Sequence, residues 1–317
     1  MKSTIIIPNY NGINYIETCL RSLEQEDAHV IVVDNASTDG SYELVTENFP
    51  EVETIQLKNN TGFCKAVNEG IAASDTKYVI LLNNDTQVQP GFVNELERIM
   101  DSDDNIFSAA AKMISMYDRD KIDDAGDLYC SLGWAFAIGK GKPERNYSKC
   151  RLIFSSCAGA AIYRKSILDE IGLLDENHFA YLEDVDLGYR AQIYGYRNVF
   201  APRARVYHAG SAVSGSRYNE FKADLTARNS IYIIYKNMPF IQIILNLPFL
   251  MIGFGIKIMF FINKGLGAVY LKGLIKGIRI SASPEGRKHK VKYSKANFIS
   301  YCKIQLLLWI NTIKRFV

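Results

Sequence analysis

Glu183, Asp184 and Asp186 place three carboxylates within four positions of the stretch Phe179-Ala180-Tyr181-Leu182-Glu183-Asp184-Val185-Asp186-Leu187-Gly188-Tyr189-Arg190. Apolar and aromatic residues surround them. Leu187, Ala191 and Tyr194 recur at spacings of four and three, and Gly195 offers a stop, so the pattern predicts a helix that starts at the carboxylates. A helix head is the positive end of the helix dipole and keeps carboxylates ionised. An ionised carboxylate held against aromatics at a cleft rim is suited to take a proton from a hydroxyl nucleophile. An acidic helix head facing water fits the motif alone equally well.

The elements that must position such a base are legible upstream. Thr4–Ile7, His29–Val33, Glu53–Leu57 and Lys77–Leu82 read as strands. Helical patterns alternate with them: one through Ile16, Leu20 and Leu23, then Ser41–Asn48 and Cys64–Ala73. Alternation of this kind, with unbroken apolar strands, predicts a mainly parallel α/β sheet flanked by helices. Polar clusters follow the strands directly: Pro8-Asn9-Tyr10-Asn11-Gly12, Asp34–Gly40 and Asn83-Asn84-Asp85-Thr86. Ligands of open α/β sheets bind at the carboxyl ends of strands, so the three clusters are expected to form one site. Turn chemistry accounts for Ser37–Gly40, but poorly for Asp34 and Asp85, which come directly off buried strands. No GxGxxG follows the first strand and no GxxxxGK[ST] occurs, which argues against a Rossmann dinucleotide site or a P-loop.

Further on, Ser155–Tyr163 is rich in small residues and fits a strand over which a ligand or backbone passes closely. Lys165–Ile171 reads as a short helix. Asp101–Asp104 and Asp118–Asp127 read as solvated acidic segments, and Gly139–Pro143 as a mobile loop.

The net charge of +3 conceals an asymmetry. Residues 1–235 hold 23 Lys/Arg against 33 Asp/Glu, a net of −10, whereas residues 236–317 hold 14 Lys/Arg against Glu285 alone, a net of +13. An acidic body carrying a basic, apolar tail points to an anionic surface as partner, with no nucleic acid expected. The six cysteines form no CxxC pair and have no His at zinc-site spacing, so they read as reduced thiols. Met1–Ile7 does not have the form of a signal peptide.

The ordered set of motifs resembles family 2 glycosyltransferases. The matching pieces are Ile5-Ile6-Ile7-Pro8-Asn9-Tyr10-Asn11-Gly12, Asp34–Gly40, Asn60-Thr61-Gly62-Phe63, Asn68-Glu69-Gly70, Asn83–Thr86, Gly159-Ala160, Glu183–Leu187 and Arg228-Asn229. The rhamnosyltransferase-like branch is the most similar, over about residues 3–235. The resemblance implies a GT-A fold and inverting transfer from a nucleoside-diphosphate sugar. It implies that Asp34 contacts the pyrimidine base, with Pro8, Asn9, Tyr10, Asn60, Gly62, Asn83 and Asn84 on the donor side. Asp85 takes the last position of the family's DxD motif as a ligand for Mg²⁺ or Mn²⁺, and His208 completes that metal site. Asn83 stands where many members have the first Asp, which leaves fewer carboxylate ligands. Asp184 takes the place of the catalytic base. Glu183 is the second candidate, and Asp186 is assigned to the helix head. The donor implied is dTDP-L-rhamnose, with a UDP-sugar as alternative; the acceptor implied is a lipid-linked saccharide of bacterial surface-polysaccharide synthesis.

Arg203 and Arg205 are candidates for the diphosphate or, equally, for strand-edge solubility; Arg228-Asn229 is a further diphosphate candidate, and Trp134 one for stacking on an acceptor sugar or for the core. Two rival functions remain at this stage. A sugar nucleotidyltransferase would want a basic glycine-rich loop after the first strand, which Pro8–Gly12 lacks. A membrane-bound scaffold would bind sugar nucleotide without transfer.

Phe240–Ile262 is a nearly continuous apolar run with one charge, Lys257, and is long enough to span a bilayer. Lys264, Lys272, Lys276 and Arg279 follow in an amphipathic pattern, and Phe298–Ile313 is a shorter apolar stretch. Spanning would export the basic tail, against the positive-inside tendency. The expectation is therefore a catalytic domain over 1–235 and a basic helical region over 236–317, bound at the inner leaflet on the cytoplasmic face. Packing of the tail on the catalytic domain, or in a homodimer, is the competing expectation.

Overall fold

The computed structural model describes residues 1–210 and 218–316. Its strands are β1 (Ser3–Asn9), β2 (His29–Asp34), β3 (Glu53–Gln56), β4 (Tyr78–Leu82), β5 (Thr86–Val88), β6 (Ile106–Ser115), β7 (Ile122–Asp124), β8 (Asp127–Tyr129), β9 (Ala135–Ala137), β10 (Arg151–Ile153), β11 (Ala160–Arg164) and β12 (Arg197–His208). The helices are α1 (Ile16–Arg21), α2 (Ser41–Asn48), α3 (Phe63–Ala73), α4 (Phe92–Asp101), α5 (Lys165–Ile171), α6 (Glu183–Ile193), α7 (Glu220–Asn237), α8 (Phe240–Asn263), α9 (Gly267–Ala282), α10 (Pro284–Lys288) and α11 (Phe298–Phe316).

The main sheet runs β10-β12-β6-β11-β4-β1-β2-β3, with β5 on β12 and β7 on β6. The strands β3, β2, β1 and β4 are parallel, in register Asn9 to Asp34 and Ile6 to Leu81. β11 departs from the parallel expectation: it inserts antiparallel between β4 and β6. It also begins at Ala160, because 155–159 is irregular backbone rather than the predicted strand. The interior strands are apolar throughout because both faces are covered. Alternate residues feed two cores: Ile5, Ile7, Val32, Ile80 and Leu82 on one side, Ile6, Ile31, Val33, Val79 and Leu81 on the other.

Of the segments read as solvated, Asp101–Asp104 and Asp118–Lys121 are largely exposed, whereas the second segment turns inward from Ile122. Asp124 and Asp127 are buried beside the two-stranded β8–β9 hairpin. Gly139–Lys142 is a hydrogen-bonded turn, with the Lys142 N–H on the Gly139 carbonyl at 2.8 Å. Beyond α7 the chain returns to the same body. Leu250 of α8 and Tyr301, Ile304 and Leu308 of α11 share a buried cluster with Tyr129, Val185 and Tyr189. α9 lies on α7 through Gly273 and Gly277, where an added Cβ would come within 2.6 Å of the Asp224 carbonyl and 2.5 Å of the Arg228 carbonyl.

Candidate active site

The first shell of the site grows from the ends of β1, β2 and β4. The Asn9 amide donates to Asp34 Oδ1 at 3.1 Å and to Ser41 Oγ at 2.9 Å, and its oxygen accepts from Asn84 Nδ2 at 2.7 Å. Three strand ends are thus tied by one side chain, and the expected convergence is observed. Gly12 is required beneath them, since a Cβ there would lie 2.2 Å from Asn84 Nδ2. Asp34 is fully buried and also accepts from the Ser37 N–H at 3.0 Å. Its carboxylate therefore orders the β2 loop. Asn35 accepts from the Thr61 N–H at 2.8 Å and donates to Asn60 Oδ1 at 3.1 Å, which brings the Asn60–Gly62 turn onto the same rim. Gly62 has φ +87°, and an added Cβ would sit 2.6 Å from the Phe179 ring, so this turn touches the loop that carries the carboxylates. Pro8 and Asn83 are partly buried and Tyr10 is exposed.

Asp85 follows the β4 end and is buried. His208, the last residue of β12, directs Nε2 toward Asp85 Oδ1 at 3.3 Å and Nδ1 toward Asp123 Oδ2 at 2.8 Å. Lys140 pairs with the same Asp123 at 2.7 Å. Burial alone would lower the His208 pKa, but hydrogen bonds to Asp123 and Asp85 raise it to about 9. Burial pushes Asp123 up, and His208 with Lys140 brings it down to about 2. A histidine whose far nitrogen is held by a carboxylate is the usual outer-shell arrangement of a metal-binding imidazole. One carboxylate and one imidazole fit Mg²⁺ or Mn²⁺ better than a thiolate-seeking ion.

The carboxylate motif heads α6 as predicted. The loop before it is unusual: Phe179, Tyr181 and Leu182 have φ of +62°, +69° and +66°. Such conformations cost about 1–3 kcal/mol each and persist only where surroundings enforce them. The enforcing group is Asn229 of α7. Its amide donates to the carbonyls of His178 (3.0 Å), Ala180 (2.9 Å) and Tyr181 (2.7 Å), while Arg228 Nη2 donates to Asn177 and His178 carbonyls at 2.9 and 2.6 Å. These two residues brace the loop instead of reaching a diphosphate.

Asp184 is partly exposed, accepts from the Val185 N–H at 2.7 Å and faces the Ala158 N–H. Next to Ala158, the Gly159 carbonyl accepts from the Asn83 N–H at 2.9 Å. Residues 158–159 therefore bridge the Asp184 and Asn83–Asp85 sides of the site. Burial raises the Asp184 pKa against these backbone hydrogen bonds. Glu183 is buried, with no partner for Oε2 among the described residues, and burial with the neighbouring Asp184 pushes it up to about 8. Of the two, Asp184 is the one with exposed surface.

Asp186 lies in the first turn of α6, as expected, but it does not face water. It is fully buried and pairs with Lys236 (2.8 Å), Arg190 (3.0 Å) and Asn237 (2.8 Å). Arg203 pairs with Glu95 and Arg205 with Glu144. Trp134 spends its indole N–H on the Gly253 carbonyl at 3.1 Å. A group that sequence reading missed lies one residue from Ala158, the neighbour of Asp184: ligand atoms of Asp124, Asp127 and Cys157 lie within 4.8 Å of one another. Burial drives Asp124 up to about 7. A separate cavity of about 820 Å³, lined by Asn68, Asp175, Arg190, Lys236, His289 and Lys292, is touched by none of the candidate donor, metal or base residues.

The family model described as Glycosyl transferase family 2 matches residues 4–172. An N-acetylglucosaminyl-diphospho-decaprenol L-rhamnosyltransferase of Mycobacterium tuberculosis is 27% identical over 232 residues, which are 64% of this chain and 75% of that protein. The uncharacterized glycosyltransferase YwdF of Bacillus subtilis is 26% identical over 238 residues, 74% of this chain and 82% of that protein. Among solved structures, GalNAc-T7 with UDP, GalNAc and Mn²⁺ aligns with TM-score 0.60 at 14% identity over 74% of this chain, which spans about half (48%) of that protein. The mannosyltransferase PcManGT from Pyrobaculum calidifontis, in complex with GDP-Man and Mn²⁺, aligns with TM-score 0.53 at 15% identity over 96% of this chain and 87% of its own. At these identities the two structures speak to the fold, which is that of GT-A glycosyltransferases.

Proposed function

Since this chain belongs to glycosyl transferase family 2 and is a glycosyltransferase, we propose that it moves L-rhamnose from dTDP-L-rhamnose, with inversion, to a lipid-linked saccharide at the cytoplasmic face of the cell membrane. The observation that carries the reading is Asp184: a reachable carboxylate at the head of α6, on a loop fixed by Asn229, one backbone step from the Asn83–Asp85 turn. In the reaction the acceptor hydroxyl oxygen forms a bond to the anomeric carbon, the bond from that carbon to the diphosphate breaks, and the hydroxyl proton passes to Asp184. A positioned base contributes about 10²–10⁴-fold. Asn9, Asn84, Asn60 and Gly62, with Pro8, Tyr10 and Asn83 beside them, form the donor side; Asp34 holds its loop in shape. Asp85 and His208 are the residues that would hold Mg²⁺ or Mn²⁺. When bound, such an ion offsets the charge of the leaving diphosphate as a Lewis acid. The rhamnosyl donor and lipid-linked acceptor are supported by the mycobacterial relative.

The test is a panel of dTDP-, UDP- and GDP-sugars assayed for nucleotide release with and without a polyprenyl-diphosphate saccharide, in Mn²⁺, Mg²⁺ or chelator. Acceptor-dependent release from dTDP-rhamnose is expected. Release from a UDP-sugar alone would replace the donor assignment, and donor binding without transfer would remove the proposed activity.

A further inference from the structure

α8 is built inside out. Its buried residues are Gln242, Asn246, Leu250, Gly253 and Phe261, so the stripe facing the protein carries both amides of the helix body, Gln242 and Asn246. The Gln242 side chain accepts from the Tyr189 hydroxyl at 2.6 Å, and Asn246 exchanges paired amide hydrogen bonds with Gln305 of α11 at 2.9 Å each. The opposite flank is apolar and uncovered: Phe240, Ile241, Leu247, Met251, Ile252 and Met259 are each about half or more exposed. α11 repeats the inversion, with Gln305 and Asn311 inside and Ile299, Leu306, Ile310 and Ile313 outside. α9 turns Gly273 and Gly277 to α7 and leaves Leu271, Ile275 and Ile278 outside among Lys272 and Arg279. In water, an amphipathic helix shows its polar side to solvent. The reverse polarity, with amides as interior contacts and alkyl groups outside, is the pattern of helices solvated by lipid.

The surface also carries sign information. Residues 236–317 have 14 Lys/Arg against Glu285. Apposing two copies through this surface would set two such segments against each other, whereas an anionic headgroup layer complements them. α8 is the one helix among the described residues long and apolar enough to cross a membrane. Its inner stripe, however, is committed to the catalytic body from Gln242 to Gly253: Tyr189 lies at one end, and at the other the Trp134 indole donates to the Gly253 carbonyl. A Cβ at Gly253 would lie 2.1 Å from the Leu132 carbonyl oxygen. About three turns, roughly 16 Å of helix, are thus fastened to a water-soluble domain that cannot follow them into hydrocarbon.

We propose that the outward faces of α8, α9 and α11 form a monotopic seat that lies in one leaflet of an anionic bilayer, with the β8–β9 hairpin linking that seat to the catalytic carboxylates. The hairpin's turn is held by the seat: the Ser131 N–H donates to the Leu308 carbonyl at 3.2 Å, and Ser131 Oγ bonds Thr312 Oγ1 at 2.6 Å. Its other end carries Asp127, whose carboxylate lies within 4.8 Å of Cys157 Sγ, one residue before the Ala158 N–H that Asp184 faces. Four residue steps separate Asp127 from Ser131, at most about 14 Å of extended chain. Resting on the lipid-linked acceptor proposed above, this spacing delivers a headgroup-borne saccharide to Asp184 while its lipid stays in the leaflet.

The experiment uses the full chain. In the Trp134→Phe variant, Trp309 on the outer part of α11 is the sole tryptophan. With phosphatidylglycerol-containing vesicles its emission should shift to the blue, and lipids brominated near the headgroup should quench it more than lipids brominated at the chain ends. Met251→Glu with Ile252→Glu, both on the uncovered flank, should weaken vesicle binding about tenfold or more without changing the melting temperature. Salt should remove part of the binding and leave a remainder, because charges are screened within about 8 Å and the apolar insertion is not. In a Cys302→Ser background, the native Cys150 of the catalytic body and Asn263→Cys at the far end of α8, both exposed, should react with an impermeant maleimide added outside the vesicles. Protection of Asn263→Cys, strongest quenching at the bilayer centre, or unchanged binding of the Glu variant would overturn the proposal. So would a wild-type chain that dimerises and ignores anionic vesicles. The transferase reading is scored separately on a short-chain, water-soluble acceptor. Transfer without vesicle binding would sink the seat alone, and vesicle binding without transfer from any donor would sink the activity alone.

Discussion

Lys236→Met removes the cation at the centre of the buried network that anchors α6. Lys236 Nζ donates to Asp175 Oδ2 at 2.7 Å and to Asp186 Oδ2 at 2.8 Å, and all three side chains are essentially excluded from water. With Arg190 the group sums to zero; without Lys236 it carries a buried net charge of −1. Asp186 keeps Arg190 and Asn237, and Asp175 keeps the Tyr232 hydroxyl at 2.8 Å and the Asn177 N–H at 3.0 Å, so neither carboxylate is orphaned. Two charge-assisted hydrogen bonds at about 1.5–3 kcal/mol each, and the usual cost of breaking one side of a buried ion pair, place the loss at about 3–5 kcal/mol. For a chain of this size that is a fall in melting temperature of roughly 4–8 °C. The sign with pH follows from the wild type. Burial works against both carboxylates, but Lys236 holds Asp175 down to about 2 and, with Arg190, holds Asp186 far below the ordinary carboxylate range. Their stabilisation is therefore present above about pH 4 and is lost as pH falls through the folded values. In the variant one carboxyl gains from protonation, so the gap to wild type should be widest near pH 7 and close toward pH 4. Calorimetric or urea unfolding of both proteins from pH 4 to 8 measures it. A loss below about 1 kcal/mol at pH 7, with a gap that does not change with pH, would refute the claim that this network anchors α6.

Three further outcomes are expected. Asp184→Asn should lower turnover by about 10²–10⁴-fold with donor affinity nearly unchanged; because burial raises the Asp184 pKa, the acidic limb of the wild-type rate profile should lie above the ordinary carboxylate value, and near-normal turnover would move the base to Glu183. Asp85→Ala should abolish, and His208→Ala weaken, any dependence of donor binding on Mn²⁺ measured by calorimetry; full wild-type activity in chelator would leave the leaving-group charge to side chains. His178 is fully buried, and burial, opposed by Asp186 and Asp175, lowers its pKa from 6.5 to about 4. The unfolded chain then binds the extra proton between those values, so stability should fall by about 3 kcal/mol as pH drops from 6.5 to 4; the wild-type minus His178→Phe difference in urea midpoint should track that window, and a flat difference would contradict it.

The strand-end half of the site is legible in the sequence because its two signals are local. Asn9 and Asp34 end apolar strands and Asp85 follows one within three residues, and an α/β sheet brings the ends of neighbouring parallel strands together whatever the loops do. What the sequence conceals are charges whose partners lie far along the chain. Asp186 reads as a helix-head residue until Lys236, fifty positions later, is seen against it. Asp124 and Asp127 sit in an acidic run that looks solvated, yet hairpin and helix packing buries them. The sign of φ at Phe179, Tyr181 and Leu182 is likewise invisible, since none is a glycine. Nor does periodicity reveal β11 as antiparallel, because an apolar run buried on both faces reads the same in either direction.

These concealed features share one mechanical consequence. α7 contributes Asn229 and Arg228 to the carbonyls of the strained loop and Lys236 to the carboxylate two residues beyond Asp184, so a single helix fixes Asp184 from both sides along α6. That same helix carries α9 on its outer surface through the close contacts at Gly273 and Gly277. α6 in turn meets α8 directly, through the Tyr189 hydroxyl on Gln242. The proposed base therefore belongs to the same packed unit as the helices proposed to lie in the bilayer, while Asn9, Asn84 and Asp34 belong to the sheet. A perturbation of the α6–α8 contact, such as Gln242→Leu, should then act on turnover with a lipid-borne acceptor and leave donor binding at the strand ends unchanged. Calorimetric donor binding beside transfer kinetics separates the two, and equal losses in both would mean that the sheet and the helical unit do not divide the work in this way.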